Sequence, residues 1–232
     1  MNKLFLSGGG DKEEFKFHKR FFKLLPTKKI IYIPIAMEGN KKHSYPKCYK
    51  WILETFSKIA EGNKFEIEMI TDLTKVNLEY LTSYNGIYIG GGNTYKLLRT
   101  IKKSGFNTIL KKFLQNHGPI YGGSAGAIIF GKNIETSGDK NDINYLDTDG
   151  LNILRGLSVA CHYKKTNEEK TKIIKFSKKH KSGVIALPEG TGLIISDDKV
   201  EVIGKKSATA FLLTGFPFKI SKGKINFENH FK

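Results

Sequence analysis

The segment 119–130 constrains the fold more than any other stretch of this chain. It has the pattern of a short apolar strand, a tight turn with one serine, and the start of a helix. Gly122, Ser124 and Gly126 match the G-x-S-x-G pattern of a nucleophile elbow, whose small residues let strand and helix pass close together. The serine hydroxyl then lies at a helix N-terminus, where backbone amides can stabilise an oxyanion. A small-residue turn without chemistry is the alternative interpretation of the same pattern.

Apolar runs of strand length alternate with segments of helical periodicity around this elbow. Strands separated by helices pair in parallel with right-handed crossovers, so we predict a three-layer α/β sandwich with a mostly parallel sheet. From residue 192 onward the pattern changes to β-hairpins. No linker or repeat interrupts the pattern, and residues 1–232 are predicted to form a single α/β domain. The strands predicted before the hairpins are 3–7, 29–34, 65–70, 86–90, 119–123, 157–161 and 183–187, and the helices include 45–61, 75–84 and one capped by Thr94.

Lysine enrichment gives the chain a net charge of +17, which is typical of proteins that bind nucleic acid. The lysines are spread over the whole sequence, however, and Arg20, Arg99 and Arg155 are the only arginines. Nucleic acid is therefore not an expected partner. Two distant cysteines, no apolar run of membrane length and no signal-peptide pattern favour the cytoplasm and exclude a membrane partner. No metal or other cofactor is expected.

Four polar or glycine-rich sites fall at predicted carboxyl ends of strands, namely residues 90–94, Ser124, His162 and Glu189. Ligands of open parallel sheets bind at that edge. A serine nucleophile needs an imidazole to take its proton, and the imidazole needs an acid to fix its tautomer. His162 or Glu189 alone would be ordinary turn residues, but together with the elbow they favour a hydrolase. The weaker histidine candidates are His18, His43, His117, His180 and His230, on helices, at helix ends or in the tail.

These motifs and their order resemble the peptidase E (aspartyl dipeptidase) family, a relative of cyanophycinase. The matching segments are 88–94 (YIGGGNT), 122–127 (GGSAGA), His162 and 187–190 (LPEG), and the resemblance extends over about residues 1–204. It implies a flavodoxin-like or class I glutaminase-like fold and a cytoplasmic serine exopeptidase. It also implies Ser124 as nucleophile, His162 as base and the amides of Gly92 and Ala125 as oxyanion donors. The acid is either Glu189 or Asp139, and we favour Glu189 because it follows a strand expected near His162.

Substrate preference departs from what the resemblance implies. The family selects an N-terminal aspartate with an arginine-bearing segment after the histidine, yet no arginine follows Arg155 here. Lysine lacks the bidentate fork of arginine, so strict aspartyl specificity is not expected, and an acidic preference is a hypothesis. A solvated lysine face is the alternative. The candidate substrate-binding residues are Asn93, Thr94, Lys164, Lys165 and Lys170.

The sequence therefore predicts a serine exopeptidase that hydrolyses short peptides through an acyl-enzyme on Ser124, acting as a monomer or homodimer. Two alternatives share this fold. One is a cyanophycinase-like or amidase-type hydrolase, and the other is a non-catalytic binding protein that retains the elbow.

Overall fold

The computed structural model describes residues 3–10, 15–197, 199–221 and 223–226. The strands are β1 (Lys3–Ser7), β2 (Lys29–Ile33), β3 (Glu66–Met69), β4 (Gly86–Ile89), β5 (Ile120–Gly123), β6 (Leu157–Ala160), β7 (Gly183–Ala186), β8 (Thr191–Ser196), β9 (Lys199–Gly204), β10 (Ala208–Phe211), β11 (Phe218–Ile220) and β12 (Gly223–Asn226). The helices are α1 (Phe15–Lys23), α2 (Tyr45–Ala60), α3 (Leu78–Leu81), α4 (Thr94–Lys103), α5 (Phe106–Gln115), α6 (Ala125–Ile128) and α7 (Asn167–His180). Short 3₁₀ turns cover Ile35–Met37, Leu73–Lys75 and Glu135–Ser137.

The described strands form two sheets. The larger has the order β12-β9-β8-β1-β5-β4-β2-β3, in which the five strands from β1 to β3 pair in parallel and the others pair antiparallel. The smaller has the order β11-β10-β7-β6, with β6 and β7 parallel. The predicted α/β fold with a mostly parallel sheet is confirmed. The second sheet was not predicted, and it carries β6 and β7, the strands that lead to His162 and Glu189.

Apolar periodicity explains how the helices pack on the central sheet. The residues Cys48, Ile52, Phe56 and Ile59 repeat at three and four along α2 and are buried, while Pro46 occupies the first turn, where it costs no hydrogen bond. All four residues of β4 and of β5 are buried. Side by side on the face toward α1 and α2, Tyr88 and Tyr121 stack with ring centroids 4.4 Å apart.

Most predicted elements agree with the structure to within one residue at each end, and three differ in how they begin or divide. The predicted helix 75–84 is reduced to the turn Leu73–Lys75 and α3, because Asn77 caps a new start by accepting a hydrogen bond from the Tyr80 amide. The residue that caps α4 is Asn93 and not Thr94. In the region predicted to form β-hairpins, residues 218–226 divide into β11 and β12, which lie in different sheets, and Phe227 is outside the described residues. In the described part of the chain, no helix combines the length and apolarity needed to cross a membrane.

Candidate active site

Ser124 stands at the turn between β5 and α6 in a backbone conformation that non-glycine residues rarely adopt, with φ 50° and ψ −111°. The glycines on either side make this turn possible, because side chains there would collide with backbone. A Cβ at Gly122 would lie 2.3 Å from the Gly126 carbonyl oxygen, and one at Gly126 would lie 2.4 Å from the Ile89 carbonyl oxygen. The elbow predicted from the sequence is therefore present, with its serine at the carboxyl end of the central sheet.

The structure brings Ser124, His162 and Glu189 into one hydrogen-bonded chain. The Ser124 Oγ and His162 Nε2 atoms are 2.8 Å apart, and His162 Nδ1 lies 2.8 Å from Glu189 Oε1. The side chains of His162 and Glu189 are 47% and 51% exposed, so the imidazole and its acid lie at the rim of the site. In this arrangement the carboxylate accepts a hydrogen bond from the Nδ1–H group, and Nε2 can then accept the proton of the serine.

The glycine triplet directly after β1, residues 8–10, holds the segments that carry His162 and Glu189 in place. The sequence did not reveal this role. The Gly8 carbonyl accepts a hydrogen bond from the His162 amide at 3.0 Å, and the Gly9 carbonyl accepts one from the Gly190 amide at 2.8 Å. Gly9 has φ +90°, and a Cβ there would lie 2.3 Å from His162 Cε1. The pairing of β1 with β5 puts Ser7 beside Gly123 and so brings the glycine triplet next to the elbow, a contact between segments that are distant in the sequence.

The glycine-rich loop after β4 passes directly over the nucleophile. The Gly90 amide donates to the Ile33 carbonyl and the Asn93 amide donates to the Ala36 carbonyl, which anchors the loop at both ends. Between these anchors, a Cβ at Gly91 would lie 3.1 Å from Ser124 Cβ. The amides of this loop are therefore within reach of a group bonded to the serine.

Asp139, the alternative acid, bonds to the start of α4. Its Oδ2 atom accepts hydrogen bonds from the Thr94 amide at 2.8 Å and from Thr94 Oγ1 at 2.6 Å. Asn93 adds a second tie to the same loop, since its Nδ2 donates to the Lys140 carbonyl while its Oδ1 caps α4 through the Lys96 amide. Asn93 and Thr94 thus fasten the Asp139 loop to α4, whereas Glu189 is the carboxylate bonded to the imidazole.

A cavity of about 490 Å³ opens beside Ser124 and His162. Of the predicted substrate-binding residues, Thr94 lines the cavity, whereas Asn93 is not among the described lining residues. Lys164, Lys165 and Lys170 are exposed, and none of them is among the described residues that line the cavity. The backbone after the histidine is turned, since His162 and Lys165 have φ values of +56° and +65° and the Lys164 amide donates to Glu169 Oε2.

Two basic residues line the cavity, His43 and Lys47. Neither was predicted from the sequence to bind substrate. They precede and begin α2, which follows β2, and both are exposed. The signal in the sequence was their position after a parallel strand of the central sheet. Because lysines are so frequent in this chain, that position did not set Lys47 apart from the others.

The known proteins that this chain resembles are peptidases, which agrees with the geometry of the site. The profile of the family described as peptidase family S51 matches residues 4–203. A relative from Nostoc sp. named peptidase E is 26% identical over 211 residues, covering 86% of this chain and 84% of the relative. One from Drosophila melanogaster, named probable alpha-aspartyl dipeptidase, is 24% identical and covers 84% of this chain and 80% of its own length. The crystal structure of a peptidase from an acI-B1 Actinobacterium has the same fold, with a TM-score of 0.73, 19% identity and coverage of 98% and 97%.

Proposed function

The chain belongs to peptidase family S51 and is a peptidase, and we propose that it is a serine exopeptidase that hydrolyses short peptides through an acyl-enzyme on Ser124. The observation that carries this proposal is the hydrogen-bonded chain from Ser124 Oγ through His162 to Glu189, with both contacts at 2.8 Å. These distances are those that a nucleophile, its general base and an orienting acid require.

In the proposed first half-reaction, Ser124 Oγ attacks the carbonyl carbon of the scissile peptide bond while His162 Nε2 takes the hydroxyl proton. Glu189 stabilises the imidazolium that forms, because its carboxylate accepts a hydrogen bond from the Nδ1–H group at 2.8 Å while the proton stays on the ring. The imidazolium then donates its Nε2 proton to the leaving nitrogen, the C–N bond breaks, and the acyl group stays on Ser124. In the second half-reaction water attacks the ester carbonyl while Nε2 takes one of its protons. The bond between Ser124 Oγ and the acyl carbon then breaks, Nε2 returns the proton to Oγ, and the acid leaves.

The negative charge on the carbonyl oxygen needs hydrogen-bond donors near the elbow. We assign this role to the amides of Ala125, the first residue of α6, and Gly92, in the loop that passes over Ser124. Both donors belong to the backbone and are fixed before the substrate binds, so they require no rearrangement as charge develops.

The size of the cavity supports short substrates. A volume of about 490 Å³ is within the range of small-molecule pockets and suits a peptide of a few residues. The name of the Drosophila relative, a probable dipeptidase, is consistent with this size. An acidic preference is not included in the proposal, because the lysines from which it was expected lie outside the described lining.

The proposal is tested by labelling with a fluorophosphonate probe and by dipeptide hydrolysis in the unmodified protein and in Ser124→Ala. The variant should lose labelling and at least about 10⁴-fold in kcat, as nucleophile variants of other triads do. The matched control is Ser137→Ala, which removes another serine of the same cavity and should keep both properties. Hydrolysis that survives in Ser124→Ala would contradict the proposal.

A further inference from the structure

The inner part of the cavity begins directly beside the nucleophile. We call the side chains of Tyr32, Met37, Cys48, Trp51, Tyr88 and Ile128 the inner pocket, and all of them line the cavity that contains Ser124. A Cβ at Gly123 would lie 3.8 Å from the Tyr88 hydroxyl, and one at Gly90 would lie 3.3 Å from the Tyr32 hydroxyl. The inner pocket therefore adjoins both the elbow and the loop that passes over it, where the side chain of an acyl group on Ser124 can enter.

The walls of the inner pocket are aromatic, aliphatic and uncharged. Tyr32, Tyr88 and Ile128 are each at most 3% exposed, and Cys48 is 8% exposed. The charged groups among the described lining residues are Lys47 and Asp139, and Lys47 is exposed at the open side. A substrate side chain in the inner pocket would thus leave water without gaining a neighbouring charge.

Three ionisable groups on or behind the wall of the inner pocket have pKa values shifted toward their neutral forms. Burial raises the pKa of the Tyr32 hydroxyl and of the Cys48 thiol, both of which lie on the pocket wall. Behind the wall, burial lowers the pKa of His18 to about 3, and its Nε2 is 2.9 Å from the Tyr88 hydroxyl. Surroundings that oppose the charging of these groups, negative and positive alike, also oppose an ionised carboxylate on a ligand.

From this position and chemistry we propose that the inner pocket binds the side chain on the N-terminal side of the scissile bond and selects large neutral residues, aromatic ones above all, over aspartate. The inference rests on the proposed function, because it requires a peptide whose acyl group is transferred to Ser124. Rings of the substrate would pack against Trp51 and Tyr88 and displace water from apolar surface. Aspartate would have to enter the same space as a desolvated anion.

Lys47 offers the competing explanation, in which a basic residue selects an acidic substrate. Its Nζ donates to the Lys42 carbonyl at 3.2 Å and the side chain is exposed, so a contact with a substrate carboxylate would be screened by water and salt. The buried neutral wall therefore has the larger effect on selection.

The first test compares kcat/KM for Phe-Leu, Asn-Leu and Asp-Leu, which share one leaving residue. Phe-Leu should exceed Asp-Leu by about ten- to a hundredfold, the usual range for discrimination by an apolar pocket. Equal rates, or faster cleavage of Asp-Leu that is lost in Lys47→Met, would overturn the inference. If no peptide is cleaved at all, the proposed function fails.

The second test introduces a charge. Met37→Lys places an ammonium group in the inner pocket, and it should raise kcat/KM for Asp-Leu about tenfold while lowering that for Phe-Leu. Met37→Gln has a similar length without the charge and is the matched control, which should not raise the rate on Asp-Leu. A damaged fold would lower both rates alike, so the criterion is the ratio of the two rates in a Met37→Lys variant that has the thermal stability of Met37→Gln. An unchanged ratio in that folded variant contradicts the inference.

Binding without catalysis separates the two proposals. Trp51 is the only tryptophan of the chain and lines the cavity, so its fluorescence reports occupation of the inner pocket. In Ser124→Ala, Phe-Leu should change this fluorescence at a concentration at least about tenfold lower than Asp-Leu. If this preference is seen but the unmodified protein hydrolyses no peptide, the proposed function is refuted and the proposed selectivity of the inner pocket stands. If the two peptides bind equally and hydrolysis is normal, the selectivity is refuted and the proposed function stands.

Discussion

The identity of the acid can be decided by exchanging each candidate carboxylate for its amide, in Glu189→Gln and Asp139→Asn. Both substitutions keep size and shape while removing the negative charge. Glu189 Oε1 is 2.8 Å from His162 Nδ1, whereas Asp139 Oδ2 accepts two hydrogen bonds from Thr94. The first exchange should therefore affect catalysis and the second should affect the fold.

The expected loss in kcat for Glu189→Gln depends on how exposed the carboxylate is. In a serine protease with a buried acid, the equivalent amide lowers kcat by about 10⁴ because it favours the wrong imidazole tautomer. Here the Glu189 side chain is 51% exposed, so water also stabilises the imidazolium and a loss of about 10²- to 10³-fold is expected. Asp139→Asn should change kcat less than tenfold and lower the free energy of unfolding by about 1–2 kcal/mol, since it removes charge-assisted hydrogen bonds.

Dipeptide kinetics and urea denaturation measure the two effects separately. Glu169→Gln is the matched control for the glutamate exchange, because Glu169 Oε2 accepts from the Lys164 amide and does not contact the imidazole. It should leave kcat unchanged. A loss in Asp139→Asn as large as that in Glu189→Gln would refute the assignment, and small equal losses would mean that neither carboxylate orients His162.

Three further predictions concern His162, Gly9 and His18. His162→Ala should lower kcat about as much as Ser124→Ala, because the two side chains act as a unit in proton transfer; a variant that keeps most of the unmodified kcat would count against this base. Gly9→Ala should lower kcat about 10²-fold, because its Cβ would lie 2.3 Å from His162 Cε1 and displace the ring; an unchanged kcat would show that the ring does not need this position. His18, whose pKa burial lowers to about 3, should make the protein less stable in acid. Between pH 6.5 and 3 the unfolded chain binds a proton at this residue that the folded chain does not, so unfolding at pH 5 should require about 2 kcal/mol less than at pH 7 from this group alone. Urea denaturation of His18→Gln at both pH values should show a correspondingly smaller pH effect, and an equal one would contradict the assignment.

Local patterns were sufficient for the elbow and for most strands and helices. Steric limits at Ser124 and the apolar repeat of α2 each act within a few residues, so the sequence contains the whole signal. The motif order also led to Ser124, His162 and Glu189 as a group, and the structure brings their side chains into contact. Boundaries failed where a neighbouring side chain decided them, as with Asn77 at the start of α3.

Tertiary structure decided what depends on segments that are distant in the sequence. The sequence by itself determined that the chain has an elbow serine on an α/β scaffold, because strand pairing and turn geometry follow from residue size and periodicity. It could not show that β6 and β7 form a second sheet, that Gly8 and Gly9 hold the histidine segment, or that Asp139 bonds to α4. Nor could it locate the inner pocket, which is built from β2, β4, α2 and α6. The lysines next to His162 in the sequence are not among the described lining residues, whereas Lys47, over a hundred residues earlier, lines the cavity, because the pairing of distant strands and not sequence proximity places α2 beside the elbow.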